Sequence, residues 1–147
     1  MSKLIKSSHN ATNLVYHLVC PIKYRREIIS DKVRRTIFLT CKTIADNHGI
    51  YFIEVGTDLD HVHFLFQSVP TYSPSQIVSI IKITIAKAVF KYNPEVKRYL
   101  WGGELWTDGY YMNTVSMVTT ESAVADYVKN QGNNQYSAIS SAGLSQS

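Results

Sequence analysis

The order of apolar patterns along the 147 residues predicts an α+β protein on the ferredoxin-like, split β-α-β plan. Three observations carry this reading. The hydrophobic period switches between two and about 3.6 residues in the order β-α-β-β-α-β. The helix-like stretches open on Ser or Thr caps and close on Gly or on Asn-Pro. The two middle strand-like runs are separated only by Asp58-Leu59-Asp60, so an antiparallel hairpin is their simplest connection. Such a chain builds a four-stranded antiparallel sheet with two helices on one face and leaves the other face open, and one C-terminal helix follows the last strand.

The first strand is predicted over 13–22, NLVYHLVCPI, which is rich in β-branched and aromatic residues and is followed by the basic cluster KYRRE. A helix follows over 30–49, with Ser30 or Asp31 as cap, an apolar stripe at Val33, Ile37, Cys41 and Ile44 or Ala45, and Gly49 as stop. Residues 50–58 and 61–69 are the hairpin strands. The second long helix starts at Ser73 with Pro74 in its first turn, has Ile77, Ile81, Ile85 and Ala88 or Val89 on one face, and ends before Asn93-Pro94. YYMNTVSM, 110–117, reads as the fourth strand, and 119–132, capped by Thr119 or Thr120 and closed by Gly132, as the final helix. The Ser-rich stretch 136–147 reads as a disordered tail after a single domain over 1–135.

A net charge of +4 favours a polyanionic partner, and ten tyrosines and two tryptophans among the basic residues supply faces on which single-stranded nucleic acid can stack. Two cysteines, Cys20 and Cys41, suggest neither a disulfide framework nor a thiolate metal site. The start MSKLIKSSHN lacks an apolar core, and the longest apolar run is broken by Lys82 and Lys87, so secretion and membrane insertion are not expected. The expected location is the cytoplasm.

The chemistry concentrates in DHVHFLFQ, 60–67. Strand alternation puts His61, His63, Leu65 and Gln67 on one face and Val62, Phe64 and Phe66 on the other, under the helices. The two imidazoles therefore share the open face, with Cα atoms roughly 6.5–7 Å apart, close enough for both to ligate one metal. The Asp-His half of the zinc hydrolase pattern H-x-H-x-D-H is missing, and so are the paired H-x-S/T motifs of two-histidine phosphoesterases. A third ligand is still required. On the final helix Tyr127 and Gln131 stand at i and i+4 and project together. The carboxamide oxygen of Gln131 suits a hard divalent ion, Mg²⁺ or Mn²⁺, which leaves Tyr127 as a nucleophile toward a phosphodiester.

DHVHFLF, YVKNQ and YHLVCPIKYRRE together resemble the single-tyrosine transposases of the IS200/IS605 insertion-sequence family, which belong to the HUH (His-hydrophobe-His) endonucleases. The resemblance runs from about Asn13 to Gln135. It implies that His61 and His63 are the paired metal ligands, Gln131 the additional ligand and Tyr127 the nucleophile. It further implies a homodimer that cuts and rejoins single-stranded DNA at hairpin-marked element ends through a 5′-phosphotyrosine, with no nucleotide cofactor. A prokaryotic, nucleoid-associated setting goes with this. Candidate phosphate contacts are Lys23, Arg25 and Arg26 after the first strand, and Lys87 with Lys91 on one helical face.

Two alternatives stay open at this level. A domesticated relative would apply the same nuclease chemistry to genomic repeats. A non-catalytic ferredoxin-like module would only bind single strands, but its third strand would then be expected to carry aromatics where this one has histidines.

Overall fold

A computed structural model describes residues 14–67 and 69–115. The final helix expected over 119–132, with Tyr127 and Gln131, and the tail over 136–147 lie outside the described residues.

The elements run β1 (Val15–Pro21), α1 (Asp31–His48), β2 (Tyr51–Thr57), β3 (His61–Gln67), α2 (Pro74–Tyr92) and β4 (Tyr111–Val115). The strands form one antiparallel sheet in the order β2-β3-β1-β4. This is the ferredoxin-like plan, and every expected element within the described residues is present.

Local chemistry sets the helix ends. The Ser30 hydroxyl accepts from the Val33 N–H, and Gly49 closes α1 at φ 70°, a left-handed conformation that glycine adopts without strain. At α2, the Ser73 side chain accepts from Gln76 N–H while the Gln76 side chain accepts from Ser73 N–H, a complete capping box with Pro74 inside it. Ile37, Cys41 and Ile44 of α1 and Ile77, Ile81, Ile85 and Val89 of α2 meet Leu18, Cys20, Val62, Phe64 and Phe66 of the sheet in the main core. Both cysteines are free thiols there, and burial pushes Cys20 up to about 12, so neither is reactive.

The segment that leads into β4 is pinned rather than loose. Trp106 Nε1 donates to the Lys82 carbonyl at 2.9 Å, and Lys82 Nζ donates back to the carbonyls of Thr107 at 3.3 Å and Gly109 at 2.9 Å. Ile22 pairs with Trp106 across an isolated bridge, which fixes this segment beside the end of β1.

A bulge interrupts β2, where Phe52 pairs with Phe66 and Glu54 with Leu65, and Ile53 is the extra residue. Phe52 thereby enters the main core, and Ile53 joins Val15 and Leu65 in a small cluster on the opposite face.

Phe64 is fully buried in the middle of an interior strand. Phe64→Ala is expected to cost about 3–5 kcal/mol, whereas Ser73→Ala, which removes only a cap, is expected to cost about 1 kcal/mol. Urea unfolding of the full chain measures both, and equal losses would contradict the placement of the core.

Candidate active site

The site grows out of β3. Its partner β1 faces it in the register Val19↔His63 and His17↔Leu65, and β2 sets Gly56 opposite His63. Reading across the face away from the helices, one row runs Gly56, His63, Val19, Tyr111 and the next Glu54, Leu65, His17, Asn113. Gly56 contributes no side chain beside His63 on the β2 flank.

His61 and His63 lie together on this face, with ring centroids 6.1 Å apart. The face is far from bare, because His63 is only 6% exposed. His17, which the sequence did not single out, joins the pair with its ring centroid 5.8 Å from that of His63. A shallow groove beside these rings is lined by His17, Val19, Tyr111 and Asn113.

His61 is oriented by a relay. Its Nδ1 lies 2.9 Å from Asp60 Oδ1, and the other oxygen of Asp60 accepts from Arg25 Nε at 3.1 Å. A carboxylate only accepts, so Nδ1 carries a proton and it is Nε2 that would be left to ligate, as in the carboxylate–histidine arrangement that prepares metal ligands. Burial pushes the Asp60 carboxyl upward, but the hydrogen bonds from His61 and Arg25 outweigh it and hold the group below its ordinary value.

Nε2 of His61 stands 3.3 Å from Asp58 Oδ2. Two acceptors facing each other at that distance call for a proton or a cation between them. A proton on Nε2 makes this an ordinary His–Asp hydrogen bond, and without that proton the two atoms are a pair of donors that a divalent ion could share. His63 suits the same purpose. Burial, then the charges of His17 and His61, lower it from 6.5 to about 4, against a weaker opposite pull from Asp58. Burial lowers His17 as well. Imidazoles kept neutral at physiological pH have lone pairs to offer. Among the described residues no group of three His, Cys, Asp or Glu side chains is arranged as a complete metal site, so the histidines would need a further ligand. Gln131, the expected one, lies outside the described residues, as does Tyr127.

The basic candidates divide. Lys23 is bound to Glu104 at 3.0 Å, with Asp108 at 3.9 Å, and the Glu104 hydrogen bond is the main influence holding its pKa above the ordinary value. Arg25 is engaged by Asp60, whereas Arg26 lies over the Trp101 ring at 5.2 Å. Lys87 and Lys91 belong to α2, in the layer on the other side of the sheet from the histidines. The sequence signal for Asp60 was its place beside His61. For His17 and Arg25 the signal is tertiary, since only the β1–β3 register and the turn after β1 bring them here.

Comparison with known proteins matches the family model "Transposase IS200 like" to residues 10–131. The chain is 31% identical over 118 residues to the ISDra2 transposase TnpA of Deinococcus radiodurans, covering 80% of this chain and 84% of that one. It is 27% identical over 124 residues to the transposase for insertion sequence element IS200 of Salmonella typhimurium, covering 84% and 80%. Among solved structures, a Deinococcus radiodurans protein assigned as a transposase superposes with a TM-score of 0.67 at 28% identity, over 86% of this chain and 98% of that one. A REP-associated tyrosine transposase bound to a REP hairpin shares the fold at a TM-score of 0.54 and 9% identity, over 86% and 74%.

Two outcomes follow from the site. The unfolded chain carries a proton on His63 between pH 6.5 and about 4 that the folded chain refuses. The contribution of this residue to stability is therefore complete above about pH 6.5 and falls away toward pH 4, by at most about 3 kcal/mol. Urea melts with chelator at about pH 7.5 and about pH 4.5 should show a smaller acid loss for His63→Asn than for the unsubstituted chain. Separately, Asp60→Asn should weaken Mn²⁺ binding, measured calorimetrically, by roughly 10–100-fold while the fold persists.

Proposed function

Because the chain belongs to the IS200-like transposase family, we propose that it cuts and rejoins single-stranded DNA at insertion-sequence ends through a covalent 5′-phosphotyrosine at Tyr127. The observation that carries this reading is the pair His61 and His63, set on one face with the His61 ring oriented by the Asp60–Arg25 relay.

His61, His63 and Gln131 would hold Mg²⁺ or Mn²⁺, which when bound supplies Lewis-acid polarisation of the scissile phosphate. The Asp60 carboxylate keeps the His61 ring in one tautomer, and the low basicity of His63 keeps its lone pair free. Tyr127 gives up its phenolic proton and forms the new P–O bond through that oxygen as the bond from phosphorus to O3′ breaks, and the departing O3′ takes up one proton in exchange. Attack of a 3′-OH on the phosphotyrosine reverses the step and frees Tyr127. One phosphodiester is exchanged for another, so neither ATP nor another nucleotide is consumed. In this reading the DNA ends carry hairpins and the protein acts as a homodimer, both in keeping with the family resemblance.

The test uses a labelled single-stranded hairpin oligonucleotide taken from the element's own ends, with Mg²⁺ or Mn²⁺. A protein-linked fragment should run on a denaturing gel. Tyr127→Phe, chelator, and His61→Ala combined with His63→Ala should each remove it. An adduct that survives Tyr127→Phe would place the nucleophile elsewhere, and intact oligonucleotide with the unsubstituted chain would defeat the reading altogether.

A further inference from the structure

Three exposed aromatics gather where β1 ends. Tyr24, Tyr99 and Trp101 are 54%, 52% and 65% exposed, an unusual amount of bare ring in so short a stretch of surface. They do not stand singly, because the Tyr24 and Trp101 rings meet with centroids 5.5 Å apart. The Arg26 guanidinium sits 5.2 Å from the Trp101 ring centroid. The backbone is bent to present them. Tyr24 and Arg25 both hold left-handed conformations, φ 60° and 53°, which side chains rarely adopt, and Gly102 and Gly103 turn the opposing segment at φ 80° and 75°.

The charges around these rings are not equivalent. Lys23 is neutralised by Glu104 and Asp108, and Arg25 by Asp60. Among the described residues Arg26 has no carboxylate partner and its buried Nε no hydrogen-bond acceptor. A cation with no assigned anion beside exposed π-faces is complementary to a ligand that is both flat and phosphorylated.

The cluster also has an address. Tyr24 is bonded in sequence to Arg25, whose side chain holds Asp60, which holds His61. The rings thus lie at the same end of the sheet as the histidine pair, with Pro21 of β1 directly opposite His61.

We propose that Trp101, Tyr24 and Arg26 form a stacking platform that receives one unpaired base of the strand being cut, a few nucleotides from the scissile phosphate. The proposal rests on the reading of the chain as a single-strand DNA transposase. The base lies against the Trp101 and Tyr24 faces while Arg26 meets an adjacent phosphate, which fixes the register of the strand relative to His61 and His63.

The experiment places 2-aminopurine at successive positions of the end oligonucleotide and reads its fluorescence as the full-length protein binds. One position near the cleavage site should be quenched in the unsubstituted protein and in Tyr127→Phe. Trp101→Ala should abolish that quenching and weaken binding by roughly tenfold or more with an unchanged salt dependence, and Trp101→Phe should restore most of both. Arg26→Gln should weaken binding and flatten the salt dependence. Tyr92→Ala, an equally exposed ring at the end of α2, should change neither. Unchanged quenching and affinity in Trp101→Ala overturn the platform. An effect of Trp101→Ala confined to self-association also overturns it and assigns the rings to a second copy of the chain. Site-specific quenching without cleavage by the unsubstituted protein would support the platform and remove the transposase reading, so the two ideas fail separately.

Discussion

Everything here depends on the double pairing of β3. A strand bonded on both sides cannot slip by one residue without exchanging its two faces, and here both faces are committed. Val62, Phe64 and Phe66 close the core against the helices, and His61 and His63 face the other way. The stability of the domain therefore enforces the position of the imidazoles. Any register that kept the histidines buried against Ile77 and Ile81 would place three large apolar side chains on the polar face.

That coupling also explains how a small domain holds its paired imidazoles in place on the side of the sheet away from the helices. His63 is neutral because it is buried beside two other imidazoles, and His61 is aimed because its Nδ1–H donates to Asp60. Different physical causes, desolvation for one ring and a hydrogen bond for the other, prepare two imidazoles on the same face. Arg25 belongs to this arrangement as much as to any DNA contact, since its guanidinium fixes the carboxylate that fixes the ring.

The fold was legible because its signals are local. Ser30 and Gly49 mark α1, Ser73 and Pro74 start α2, and the alternation in HVHFLFQ assigns its two faces without knowledge of any neighbour. The histidine pair was legible for the same reason. His17 was not, because its alternation along β1 places it only on a face, and its approach to His63 depends on the cross-strand register. The segment around Trp101 and Trp106 was opaque for a related reason: Trp106 is a core residue tied to the Lys82 carbonyl, whereas Trp101, only five positions earlier, is exposed. Nothing in the composition of the segment distinguishes the two indoles.

The bulge at Ile53 has a wider consequence. An uninterrupted two-residue period back from Val55, which pairs with Phe64, would turn Phe52 toward the histidine face. The added residue acts as a phase shift, so that the ends of one strand obey the same inside-and-outside rule in opposite parity. Tolerance to change at this point is accordingly lopsided. Another aliphatic side chain at 53 alters only the filling of a small cluster, whereas loss of the position would rotate the start of β2 by half a pleat and carry Phe52 out of the core.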